Sequence, residues 1–275
     1  MGDLQRAAVT LSGIGLHGGE PCAVTIARTS GPTAIETTSG RWPLGRPCIA
    51  GADRGVRIAL DGGGSIELVE HLAAAFGGMG AHLGVVASVS GGEVPLLDGG
   101  ARAFVEALVA VGAGGHRAPL RVTREVSLSA GEARYELVPS EETRLEVRIE
   151  FDHPRIGRQE TCWEGDPADF RARIAPARTF GFARDRAALS ASGRARHVDL
   201  SSVIVFGELD LLPGCELRGD DEPVRHKLLD LVGDLALHGG PPRGLVRAFR
   251  PGHAATHAMI AEALRAGHLV REETR

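Results

Sequence analysis

Three stretches of this chain bring together residue types that can do chemistry. In Pro223–Gly240, His226, Asp230 and Asp234 recur at i, i+4 and i+8. On an α-helix that spacing puts them on one face, beside the apolar stripe Val224, Leu228, Leu231, Val232 and Leu235. An imidazole and a carboxylate one turn apart can chelate one cation, and zinc accepts both donors. The same spacing also suits a His–Asp hydrogen bond on a solvated face. The second stretch is Val69-Glu70-His71-Leu72, where a helical pattern begins. Adjacent helical residues point about 100° apart, so His71 can bind a metal while Glu70 addresses a water there. Hydrolytic zinc sites keep three protein ligands and a place for water, and a neighbouring carboxylate is the usual base. The competing reading is a Glu favoured by the helix dipole beside a half-buried His. The third stretch is Arg250-Pro251-Gly252-His253. A carboxylate such as Asp234 beside His253 would keep it protonated, as an acid or a stabiliser of negative charge. Without such a neighbour it reads as a helix-end or exposed residue.

The elements that must position these residues follow an α+β order. Ala7–Ser12 and Ala23–Ala27 read as strands around the Gly-rich turn Gly13–Pro21. Residues 66–78 take helical periodicity, with Val69, Leu72, Ala73 and Phe76 on one face. Val85–Val89 is a strand and Ala101–Val111 a second helix. The Gly-rich stretch Gly112–Pro119 marks a boundary between two α+β domains, residues 1–115 and 116–275. In the second, Leu120–Leu128, Ala133–Leu137, Leu145–Phe151 and Val203–Phe206 read as strands. Helices are expected over 223–238, stopped by Gly239-Gly240 and Pro241-Pro242, and over about 254–266. Each half places strands before helices rather than alternating them. The halves are expected to share a topology, although no residue-level repeat is visible.

Several motifs are set aside. Gly13-Ile14-Gly15-Leu16-His17-Gly18 matches G-x-G-x-x-G, but a strand pattern follows where a dinucleotide site needs a helix N-terminus. It is read as a hairpin turn. Gly62–Ser65 lacks the GK[ST] ending of a phosphate loop, and neither HExxH nor GxSxG occurs. Cys22, Cys48, Cys162 and Cys215 form no CxxC pair, so neither a cysteine–zinc nor a thioredoxin-like site is expected. Isolated His82, His116, His197, His238 and His268 are read as surface or structural.

With 275 residues, 43% of them hydrophobic, the chain can bury a sizeable core. Its net charge of −4 and lack of a basic run give no support for nucleic-acid binding. One Tyr, two Trp and eight Phe are too few for a base-stacking surface. No run of about 18 apolar residues predicts a membrane span. The opening MGDLQRAAVT has no apolar signal core, so the cytoplasm is the expected compartment.

Taken together, the motifs resemble one family. They are LSGIGLHGGEPC at 11–22, VEHLAAAFGGMG at 69–80, GGEVPLLDGGARAFVEAL at 91–108, FDHPRIGRQ at 151–159, ARTFGFARD at 177–185, VRHKLLDLVGDL at 224–235 and GHAATH at 252–257. Their order and spacing over nearly the whole chain resemble the UDP-3-O-acyl-N-acetylglucosamine deacetylase family, the zinc amidases of lipid A synthesis. The resemblance implies two α+β domains with helices packed between two outer sheets. It implies zinc (Zn2+), with ferrous iron the alternative, on His71, His226 and Asp230. Glu70 would be the general base and His253 the acid or stabiliser, with Asp234 behind it. Thr179 would donate to the oxyanion. Lys227 would meet the phosphates or sugar, Phe180 the sugar or nucleotide, and Leu16 and His17 the site entrance. The substrate would be a UDP-linked acylated amino sugar, and the chain is expected to act as a monomer. Residues 186–215 would form an insert along the acyl passage, bordered by Val203–Phe206 unless that stretch is an ordinary strand.

The chain departs from the family pattern at Ala81–Gly84, Leu97–Gly100, Asp199–Ser202, Arg218–Glu222 and Thr256-His257. These positions bear on substrate recognition, and a paralogue acting on another acetylated amino sugar or amide is the alternative function. A scaffold that only binds zinc is the third reading. Glu70, Thr179, Lys227 and His253 together argue against it, because a structural zinc site is closed by four ligands.

Overall fold

The computed structural model describes residues 8–46, 49–116 and 118–272. The expected strand start at Ala7, the Cys48 thiol and part of the 112–119 boundary lie outside them. The first half runs β1 (Ala8–Ile14), β2 (Pro21–Pro32), β3 (Ala34–Thr37), β4 (Gly40–Pro43), β5 (Ile49–Gly51), β6 (Arg57–Ala59), β7 (Ser65–Ile66), α1 (Glu70–Gly78), β8 (Leu83–Ser90) and α2 (Arg102–Ala110). The second runs β9 (Leu120–Val122), β10 (Val126–Ala130), β11 (Ala133–Val138), β12 (Thr143–Glu150) and β13 (Arg158–Trp163). It continues through α3 (Pro167–Asp169), a π-helical turn (Phe170–Ile174), β14 (Phe180–Phe182), α4 (Arg186–Ala191), β15 (Ile204–Phe206), α5 (Glu222–Leu237), β16 (Gly244–Phe249), α6 (His253–Arg265) and β17 (Leu269–Arg271).

Two five-stranded sheets repeat one plan. Their orders are β1-β2-β8-β3-β4 and β10-β11-β16-β12-β13. In each, an antiparallel hairpin lies on either side of a late central strand, which runs parallel to one neighbour and antiparallel to the other. The central strand arrives after the helix that carries the chemistry, α1 before β8 and α5 before β16. Period-two alternation turns Val24 and Ile26, Val85 and Ala87, and Leu145, Val147 and Ile149 inward. α1 packs on α5, α2 on β1, α5 on β12 and β13, and α6 on β10. The mixed helix-and-sheet class is as the sequence implies.

The hairpin reading of the glycine motif holds, with Ile14 opposite Pro21 and no helix after the turn. Four expectations need correction. The first helix begins at Glu70 rather than 66, because Ser65–Ile66 pairs with β6 and Leu68 takes a left-handed φ of 57°. It has no single apolar face, since all nine of its residues are buried. Leu120–Leu128 is two strands: β9 pairs with β17 and β10 with β11, because Thr123 is drawn to the carbonyls of Gly267 and His268. The central strand β16 was not anticipated, although Leu245–Phe249 alternates.

Candidate metal centre

α1 and α5 bring the two chemical stretches into contact. They approach closely because Gly233 has no side chain: a Cβ there would stand 2.3 Å from the Glu70 carbonyl oxygen. Gly77 does the same one turn along, against Val232 and Ala236. His71 and His226 thus meet edge to face, with centroids 5.1 Å apart and planes at 87°. Asp230 Oδ1 lies 3.4 Å from His226 Nε2 and 3.9 Å from His71 Nε2. One donor atom from each of the three residues falls within 4.8 Å of the others.

The donor set fits a cation. Burial holds His71 down at about 3 and His226 below its ordinary value, so both imidazoles are neutral at pH 7. His226 Nδ1 donates to the Ala177 carbonyl at 3.0 Å, which leaves its Nε2 bare and facing Asp230. Burial opposes the Asp230 charge, but Lys227 and the neighbouring histidines hold its carboxyl far below the usual range. Asp230 Oδ2 accepts from Lys227 Nζ at 2.7 Å, while the buried Oδ1 has no hydrogen-bond partner among the described residues. A buried anionic oxygen without a hydrogen-bond donor, facing two neutral imidazoles, fits a cation site.

Glu70 and His253 flank this set. Glu70 is 3% exposed, and its Oε2 accepts the Val56 amide at 2.9 Å. Burial raises its carboxyl pKa, although His253 and the Val56 amide pull the other way. Gly55 lies against it: a Cβ there would be 3.2 Å from Glu70 Oε1 and 3.6 Å from His17 Nε2. His17 is therefore beside Glu70, with its ring on the Arg54 carbonyl and its amide on Glu93. The Leu16 carbonyl accepts the His197 amide. His253 opens α6, with Nδ1 2.9 Å and 3.1 Å from the oxygens of Asp234. Burial works against its charge, yet Asp234, Asp230 and Glu70 hold it up at about 10. It is an imidazolium at pH 7, and its Nε2 points toward Asp230 Oδ2 at 4.0 Å.

Thr179 and Phe180 follow Ala177 at the edge of the set. The Phe180 ring lies 6.2 Å from His226 and carries Lys227 Nζ at 5.5 Å. Phe180 also touches Phe151, Phe182 and Phe206, so β14 and β15 form an aromatic wall. Thr179 is half-buried and tied by its backbone to Gly99 and Ile204. Two groups escaped the sequence reading. Arg178 grips Glu222 through its backbone amide, Nε and Nη2, locking the Thr179 segment to the start of α5. His257 and His238, the latter read as surface or structural, are buried behind Asp234. A signal existed for both: His238 continues the 226–230–234 spacing, and His257 follows His253 by four.

Fold and site together define a class. This is an α+β chain with a His–His–Asp cation set between two helices, and a buried carboxylate and an imidazolium close by, the parts of a metal-dependent hydrolase. The chain belongs to the family of UDP-3-O-acyl N-acetylglycosamine deacetylases, whose model matches residues 4–265. Proteins named UDP-3-O-acyl-N-acetylglucosamine deacetylase from Brucella melitensis biotype 2 (strain ATCC 23457), Brucella ovis and Brucella abortus (strain S19) are 37% identical to it over 281 residues. Each match covers 97% of this chain and 94% of the relative. Among the described residues, no helix is long and apolar enough to cross a membrane. Cys22, Cys162 and Cys215 are free thiols.

Proposed function

We propose that this chain hydrolyses the N-acetyl group of a UDP-3-O-(3-hydroxyacyl)-N-acetylglucosamine, releasing acetate, as the committed step of lipid A synthesis. The observation that carries the reading is the presence beside the cation set of both a buried carboxylate, Glu70, and a held imidazolium, His253. His71, His226 and Asp230 would hold a divalent ion, zinc in this reading. When bound, it supplies Lewis acidity that makes water more acidic and polarises an amide carbonyl.

The residues of the chain divide the proton work. Glu70 takes the proton of the attacking water. Its raised pKa suits a base that must then give the proton up. The Val56 amide fixes the angle of that carboxylate. His253 donates its Nδ1–H to Asp234, so Nε2–H is the proton it offers the oxyanion or the departing amine. With a cation on Asp230, Asp234 remains its counter-charge. The Thr179 hydroxyl donates to the oxyanion, and losing one such donor typically costs roughly 100- to 1,000-fold. As the amide C–N bond breaks, the amine leaves with the added proton and the acyl carbon keeps the water oxygen. Lys227 binds the phosphates or sugar, Phe180 packs on the sugar or nucleotide, and Leu16 and His17 border the entrance. We assign residues 1–115 and 116–275 to two domains, and read the protein as a cytoplasmic monomer.

The test is acetate release from UDP-3-O-(3-hydroxyacyl)-N-acetylglucosamine by the metal-loaded protein, beside Glu70→Ala. Turnover in the first and none in the second, at equal metal content, is the expected result. No turnover by wild-type protein carrying one metal per chain would overturn the substrate and point to another acetylated amino sugar or amide.

A further inference from the structure

Behind His253 the structure holds a file of buried polar groups, of which the reaction above uses only Asp234. Asp234, His257 and His238 are 1%, 7% and 3% exposed. His257 Nε2 lies 3.3 Å from Asp234 Oδ1, within ion-pair reach but outside hydrogen-bond geometry, and it has no hydrogen-bond partner among the described residues. His257 Nδ1 and His238 Nε2 are 2.9 Å apart. One residue before His257, the Thr256 hydroxyl meets the Tyr135 hydroxyl at 2.9 Å, anchoring the same turn of α6.

One carboxylate, together with a neutral His257, sets every proton in this file. Asp234 can only accept, so the nitrogen His257 turns toward it must carry hydrogen. A neutral His257 then has a bare Nδ1, which must accept from His238 Nε2–H. His238 is left with a bare, buried Nδ1, which has no partner among the described residues. Its burial favours the neutral ring that this order requires. Asp234 Oδ1 thus accepts from His253 and also faces the Nε2–H of His257, 3.3 Å away. Removing the second donor would leave that oxygen short of a partner in a dry environment and free the carboxylate to turn.

We propose that His257 is a positioning residue for the reaction: backed by His238, it fixes the Asp234 carboxylate that orients His253 toward the substrate. The proposal rests on the reading of His253 given above. A merely packed core histidine would affect stability alone. A positioning residue acts on kcat and is replaceable by a side chain that returns a donor to the same place.

The experiment compares metal-loaded wild type, His257→Leu, His257→Gln and His253→Ala in steady-state acetate release, at matched metal content. Gln places its amide nitrogen near the position of His Nε2; Leu has no donor. His257→Leu is expected to lose about 10-fold or more in kcat, the scale for partners that orient a site residue, with KM nearly unchanged. His257→Gln is expected to recover most of that loss. Wild-type kcat in His257→Leu, a loss confined to KM, or Gln no better than Leu would overturn the proposal. If His253→Ala turns over normally, the reading of His253 falls first and this inference with it. A fall in His253→Ala without one in His257→Leu sinks the inference alone. Should His257→Leu fail to fold, 15N NMR of the wild-type histidines decides. Hydrogen on Nε2 of both His257 and His238 supports the file, and hydrogen on Nδ1 of His257 overturns it.

Discussion

Replacing Gly233 by alanine tests whether the close contact of two helices assembles the site. A methyl group there would stand 2.3 Å from the Glu70 carbonyl oxygen and 3.1 Å from its carbon. Both contacts are backbone, so no side-chain rotation relieves them, and α1 and α5 must part by roughly 1 Å. Two stability effects then oppose each other. Alanine gains about 1 kcal/mol of helix propensity over glycine, and overpacking costs about 1–3 kcal/mol. The net loss is small, on the order of 1 kcal/mol, or roughly 2–4 °C in Tm for a chain of this size. The effect on catalysis is larger. Glu70 and His71 open α1, while His226 and Asp230 are on α5, so the same shift pulls the proposed base and metal donors apart. A misplacement of about 1 Å can cost about 100-fold in rate. Acetate release, metal affinity and a thermal melt should therefore show a large loss of kcat/KM and weaker metal binding beside a modest fall in Tm. A variant with a raised Tm and wild-type activity, as at a solvated helix glycine, would refute the reasoning.

Other consequences follow from the same structure. Glu222→Gln removes the charge that Arg178 grips in the interior, and one-sided loss of a buried pair costs about 3–5 kcal/mol; urea unfolding at pH 7 measures it. Burial alone would raise the Glu222 carboxyl, but Arg178 and the Arg218 and Arg178 amides hold it below 4.5. A depressed carboxyl contributes fully above that value and loses its contribution as pH falls below it. The gap between wild type and Glu222→Gln should therefore narrow in acid, and a gap that widens would count against the pair. Chelating the metal should abolish turnover and lower Tm, and zinc should restore both. Metal at 100 times its dissociation constant adds about 2.7 kcal/mol, and a chelated protein that keeps its activity would remove the cation from the reaction.

Local chemistry was legible in the sequence because local periodicity carries it. The spacing of His226, Asp230 and Asp234 puts them about one turn apart on one face when the segment is helical, and α5 supplies that helix from Glu222 to Leu237. Gly13–Gly18 could be read as a hairpin because the pattern after it alternates by twos, and β1 and β2 pair across it. The helix stop at Gly239-Gly240 is likewise chain-local. What periodicity does not carry is partnership. Leu245–Phe249 has the alternation of many exposed segments, and it becomes the central strand only because β11 and β12 flank it. Leu120–Leu128 reads as one run, yet different sheets claim its two ends. The Arg178–Glu222 grip and the His257–His238 contact join residues that are 44 and 19 positions apart. The sequence by itself determined the donor types and the helix that orders three of them. Only the tertiary structure decided that His71 meets His226, because that meeting depends on the absence of a side chain at Gly233, and a pattern records which side chains are present, not how closely two backbones approach.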